Sequence, residues 1–201
     1  MDEQMQSLVK EANKIFSLDN IPADITYNPE GKSYQPIPEE THQVLVEKIV
    51  LKENPYYRPP TDEDWKNGTV QNKYQFDFTF MLLEEGDFQG RKVWDTTGLY
   101  IKPTTKQGKG GPTKLYTIVT KIMGTDMDPD DCRAFAPDMA TLYRNLLEVC
   151  QGKQVRITTT NIKKADGKIK TKIAAYSYLK KDKDGKDIEL PIPEKKEVVK
   201  E

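Results

Sequence analysis

Apolar and polar positions alternate most clearly between Tyr74 and Leu82. Tyr74, Phe76, Phe78, Phe80 and Leu82 alternate with Gln75, Asp77 and Thr79. The period of two is that of a half-buried strand, and aromatic side chains suit strands. Gly86 and Gly90 mark a turn, so residues 91–101 are expected to run back as a second strand. Upstream, residues 43–52 mix Val44, Leu45, Val46, Ile49, Val50 and Leu51 with Glu47 and Lys48, a short β-branched run that predicts another strand. Downstream, residues 154–163 place Val155, Ile157 and Thr159 on one face and Arg156, Thr158 and Thr160 on the other. Ala165-Asp166-Gly167 is a hairpin turn, and residues 169–179 return from it. A turn at residues 183–186 is expected to send 188–192 back as a short strand.

Three stretches carry the helical period instead. Met5, Leu8, Val9, Ala12, Ile15 and Phe16 predict a helix over residues 2–17. Alone it would be marginal, so it must dock on the domain, on a partner or on a second copy. Thr113 and Gly124 bracket a helix carrying Leu115, Ile118, Val119 and Ile122. Asp138 and Gly152 bracket another, with Leu142, Leu146 and Val149 on one face. The acidic run at residues 126–131 between them reads as a solvated loop. Pro22, Pro29, Pro36 and Pro38 make residues 18–40 an extended linker. Pro55, Pro59, Pro60 and Gly68 make residues 53–73 a long irregular connection, and such loops are usually functional or disordered.

The order strand, strand, strand, helix, helix, strand, strand predicts a mainly β fold with helices, of the α+β class. It matches the five-stranded Greek-key barrel called the OB-fold. The expected organisation is an N-terminal helix and linker at 1–40, the barrel at 41–192 and a charged tail at 193–201. A chain of 201 residues is long enough for one such domain with a core of its own.

Composition narrows the function. There is no apolar run near the ~20 residues a membrane span requires. The first residues lack the basic start and apolar core of a signal peptide. With two cysteines, Cys132 and Cys150, a disulfide framework is not expected, so a cytoplasmic protein with a buried Cys150 is. The net charge of −1 hides an uneven distribution. Residues 1–42 carry three basic and eight acidic side chains, residues 91–121 seven basic and one acidic, and residues 153–186 eleven basic and three acidic. Local clusters matter more to a polyanion than the total, because screening acts over about 8–10 Å.

Catalytic chemistry finds little footing, and neither an enzyme nor a cofactor is expected. His42 is the single histidine and has no cysteine cluster beside it. No G-x-S-x-G, phosphate-loop or H-E-x-x-H motif occurs, and Gly108-Lys109-Gly110-Gly111 lacks the phosphate-loop spacing. The acidic run fails as a calcium loop, since Asp131 stands where glycine is needed and Pro137 where the bidentate glutamate is needed. A metal-dependent nuclease would need a carboxylate cluster on a basic face, and the sequence places none.

Nucleic-acid binding has a stronger case. An OB-fold binds single strands across strands two and three, between the loops joining strands one and two and strands four and five. The first of these loops holds Tyr56, Tyr57, Arg58, Trp65 and Lys66. The second is basic at Lys163, Lys164, Lys168, Lys170 and Lys172, with Arg156 on the outward row of the strand leading to it. Arg91, Lys92 and Trp94 fall on the expected third strand. Cations would neutralise phosphates and aromatics would stack bases.

With these elements in place, the chain resembles a phage-encoded OB-fold family of single-stranded-DNA-binding-like proteins from replication and recombination modules. The resemblance rests on Tyr74-x-Phe76-x-Phe78-x-Phe80, on Gly86-Asp87-Phe88-x-Gly90-Arg91-Lys92-Val93-Trp94, on Thr113-Lys114-Leu115-Tyr116, and on residues 147–153 with the basic hairpin beyond. It covers about residues 40–180. It implies a non-enzymatic protein that binds single-stranded DNA with little sequence preference, alongside phage or host replication and recombination proteins. The chain departs from the family in the 53–73 loop, the acidic run and the N-terminal helix, and it lacks an acidic recruiting tail. The alternative expectation is a protein-interaction module that uses the N-terminal helix and the Tyr/Trp loop without nucleic acid.

Overall fold

The computed structural model describes residues 35–67, 72–103, 111–165 and 167–193. The chain divides into two units, 1–36 and 37–201, and the sheet and helices belong to the second. The helix expected at 2–17, most of the 18–40 linker and the tail from 194 onward lie outside the described residues.

Five strands form one antiparallel sheet: β1 (Thr41–Glu53), β2 (Tyr74–Leu82), β3 (Lys92–Thr97), β4 (Gln154–Lys163) and β5 (Ile169–Ser177). Their order is β3-β2-β1-β4-β5, so β1 is shared between the two halves. The architecture is α+β and mainly β, as the alternation predicts. No hydrogen-bond ladder joins the edge strands β3 and β5, so the sheet is not closed into a barrel.

Phe76, Phe78 and Phe80 are fully buried and Leu82 nearly so. Phe78 and Phe80 stack at 5.9 Å between centroids, and Phe76 stacks on Tyr143 at 5.8 Å. In β1 the register shifts between Val46 and Lys48, a bulge at Glu47. The extra residue resets the period of two, which is why Val44 and Val46 face the core and so do Ile49 and Leu51. His42, 3% exposed, sits with Nδ1 3.0 Å from the Glu84 carboxylate and Nε2 3.1 Å from the Pro38 carbonyl. It pins the start of β1 to its flanks.

Among the described residues four helices accompany the sheet: α1 (Asp62–Asn67), α2 (Lys114–Met123), α3 (Pro129–Phe135) and α4 (Met139–Cys150). The expected caps are present. Thr113 Oγ1 accepts from the Tyr116 amide, and α2 ends on Gly124 at φ 74°, a left-handed position that favours glycine. The Asp138 carboxylate accepts from the Thr141 amide and hydroxyl, and these bonds hold it below the usual carboxylate range. Leu115, Ile118 and Val119 of α2 and Leu142, Tyr143 and Leu146 of α4 are buried.

The structure corrects several sequence expectations. The 53–73 connection is not wholly irregular, because α1 lies within it. Thr61 and Asp64 cap it reciprocally: the Asp64 amide donates to Thr61 Oγ1 and the Thr61 amide to the Asp64 carboxylate. The acidic run is likewise half helical, since Asp128 caps α3 in a box with Asp131 and Pro129 opens the helix. The returning strand is shorter than 91–101, running only from Lys92 to Thr97, and Arg91 precedes it. The short strand expected at 188–192 does not form. That segment is held by side-chain amides instead: buried Gln43 donates to the Ile188 carbonyl, while Gln154 donates to the Leu190 carbonyl and accepts from its amide. The packed segment also starts earlier than residue 41, at buried Ile37, whose carbonyl accepts from Asn161 Nδ2.

Both cysteines are free and buried, and burial alone pushes the Cys150 thiol up to about 12. At pH 8 only about one Cys150 in ten thousand would be thiolate, the reactive form. Iodoacetamide is therefore expected to leave Cys150 unmodified in native protein and to alkylate it in guanidinium, as peptide mass spectrometry would record. Native-state alkylation would place Cys150 outside the core.

Candidate nucleic-acid interface

Strand register fixes the outer face of the β1–β3 half. Lys48 pairs with Thr79 and Thr79 with Trp94, so these three form one row across the sheet. Val50, Asp77 and Thr96 form the next, and Leu45, Met81 and Lys92 the row on the other side. With strands ~4.8 Å apart, Lys48 and Trp94 stand about 10 Å from each other. Trp94 is 61% exposed on the edge strand β3, although tryptophan is on average a well-buried residue.

Charge on this face is partly cancelled. Lys92 Nζ lies 2.8 Å from Glu47, and Lys52 pairs with Asp77. Lys48 is exposed and has no ion pair among the described residues. The sequence expectation missed Lys48, because the bulge beside it hides which way it points. Arg91 lies next to the strand with its guanidinium 5.1 Å from the Phe88 ring centroid.

Tyr56, Tyr57, Arg58 and Lys66 lie on the β1–β2 connection, as expected from their positions. Tyr56 is 82% exposed and Tyr57 half-buried. Arg58 is committed elsewhere: both its terminal nitrogens lie 2.7 Å from the Asp64 carboxylate, which also accepts from Thr61. That pairing raises the guanidinium above its ordinary value and makes Arg58 a brace for the loop. Lys66 is exposed in the last turn of α1. Trp65 lies on α1, and its side chain lies outside the described residues.

The β4–β5 hairpin forms a second region. Ladder pairing of β1 with β4 ends at Thr41–Thr158, so the strand ends carrying Thr160–Lys163 and Ile169–Lys172 project beyond β1. Lys163, Lys164, Lys168, Lys170 and Lys172 are all exposed. Lys170 and Lys172 share a face with Thr160 and Ile162, and Arg156 belongs to that face further down β4. The segment at Ile188 and Leu190 is bound to Gln43 and Gln154 on the outward rows between the hairpin and the Trp94 half. The expected outer surface therefore falls into two regions, Trp94 with Tyr56 nearby and the lysine hairpin.

The edges of the sheet meet through side chains. Tyr176 of β5 donates to the Asp95 carboxylate of β3 at 2.6 Å, and Lys114 at the start of α2 reaches the same carboxylate at 2.7 Å. The Tyr176 ring packs on Phe80 at 5.8 Å. Burial first, then the Asp95 charge, pushes the Tyr176 phenol up, so it acts here as a fixed hydrogen-bond donor. Among the described residues no group of three or more His, Cys, Asp or Glu side chains is placed to hold a metal ion. None of the described helices is long and apolar enough to cross a membrane.

No protein-family model and no curated protein matches the sequence.

Proposed function

We propose that the chain binds single-stranded DNA on the outer face of β1–β3, with the lysine hairpin as a second backbone contact. The observation that carries this reading is Trp94, exposed on the outer sheet face in a row with Lys48, a cation without an ion pair among the described residues. An indole offers a stacking surface to any base, and an ammonium nearby meets the phosphate. The strand order supports an OB-fold reading: β1 is shared, helices lie between β3 and β4, and Tyr176, Phe80 and Asp95 meet where a barrel would close. The family resemblance supports extending this reading to a non-enzymatic role in phage-type DNA replication or recombination in a host cytoplasm, with replication or recombination proteins as partners.

A protein-interaction module is the second reading. It is favoured by the ion pairs that occupy Arg58, Lys52 and Lys92, and by the exposed rings of Tyr56 and Tyr100. Salt separates the two. With four to six phosphates neutralised, the logarithm of affinity should fall with the logarithm of salt at a slope of about −3 to −4. Fluorescence anisotropy of an oligo(dT) of about 30 nucleotides should then show roughly 50–300-fold weaker binding at 200 mM than at 50 mM salt. Lys170→Glu with Lys172→Glu should flatten that slope. An oligonucleotide whose anisotropy never changes at low salt would exclude DNA binding and leave the protein-interaction reading.

A further inference from the structure

A polar groove of about 540 Å³ lies where β2 begins and β3 ends. Asn54, Tyr56, Asn72, Gln75, Thr96 and Thr97 line it. Asn54 organises one wall: its Oδ1 accepts from the Tyr56 amide at 3.0 Å and its Nδ2 donates to the Asn72 carbonyl at 3.2 Å. That holds Tyr56 beside the opening with its ring in solvent. The Asn72 amide lies against Gly98, where an added Cβ would stand 3.4 Å from Asn72 Nδ2, and it has no hydrogen-bond partner among the described residues. Among the described residues the Gln75 side chain makes one hydrogen bond, a 3.4 Å contact to Asp77. Buried Tyr74 also lines the groove, on the core side of β2. Among the described residues no charged side chain lines the groove.

We propose that this groove takes one nucleobase of the bound strand and prefers adenine. Tyr56 supplies a ring for stacking. The amides of Asn72 and Gln75 offer a donor beside an acceptor, the pattern that pairs with the amino group and ring nitrogen of adenine. Guanine is read best by Arg or Lys and cytosine by a carboxylate, and among the described residues neither lines the walls. Thr96 follows Trp94 on the same face of β3, so a strand stacked on Trp94 would bring its next base toward the groove. A chain with little overall sequence preference would thus read one position.

The groove's role rests on the single-strand reading of the sheet face. The test compares an oligo(dT) of about 30 nucleotides with the same strand carrying one central dA, so that the protein can choose its register. The dA strand should bind at least about five-fold tighter. In Asn72→Ala, and separately in Tyr56→Ala at its exposed position, the two strands should bind alike. Equal affinities in the unaltered protein, or an adenine preference that survives both substitutions, would overturn the groove's role while leaving single-strand binding in place. If neither strand binds, the single-strand reading and the groove fall together.

Discussion

Phe80→Ala is expected to cost about 3–5 kcal/mol of folding stability, near the upper end of what one substitution removes. Phe80 is fully buried, stacks on Phe78 and packs against Tyr176. It is therefore the ring through which the β1–β3 half of the sheet meets β5. Truncation removes the transfer free energy of the ring and leaves a cavity between two strands that share no backbone ladder. For a chain of this size each kcal/mol lowers the melting temperature by about 2–4 °C, so a drop of roughly 6–20 °C is expected. Circular dichroism melts or urea titration would measure it. A loss under about 1 kcal/mol would mean that β5 packs elsewhere.

Trp94→Ala should do the opposite. Its ring is mostly in solvent, so little stability is at stake. One lost base stack is worth about 1–3 kcal/mol, which is roughly 5–150-fold in affinity for single-stranded DNA. Trp94→Phe should recover part of that, because a smaller ring still stacks. The pair of substitutions separates the two kinds of aromatic in this chain. Phe76, Phe78 and Phe80 of β2 build the core, while Trp94 of β3 and Tyr56 of the β1–β2 connection stand exposed. Unchanged DNA affinity in Trp94→Ala would move the interface off this sheet.

The sequence makes the strands legible wherever one face is buried. The Tyr74–Leu82 alternation, the Gln154–Lys163 alternation and the Thr113 and Asp138 caps all correspond to elements of the structure. Two short helices are harder to see, because prolines beside them read as breakers. Yet Thr61-x-x-Asp64 and Asp128-Pro129-x-Asp131 are capping signals in the sequence. The candidate interface is less legible for three physical reasons. A bulge at Glu47 inverts the alternation and hides Lys48. Ion pairing depends on residues distant in sequence, so Lys92 with Glu47 cannot be anticipated from composition. The groove beside Tyr56 is assembled from residues 54–56, 72–75 and 96–98, which no local pattern connects.

The most direct test uses Trp94 itself as the reporter. Trp65 is the other tryptophan of the chain, so Trp65→Phe leaves one indole. That protein should be titrated with oligo(dT) at low salt while its emission is followed. If bases stack on β3, emission should be quenched to saturation and recover as salt displaces the strand. Emission that stays constant while anisotropy reports a bound oligonucleotide would contradict the placement of single-stranded DNA on this face.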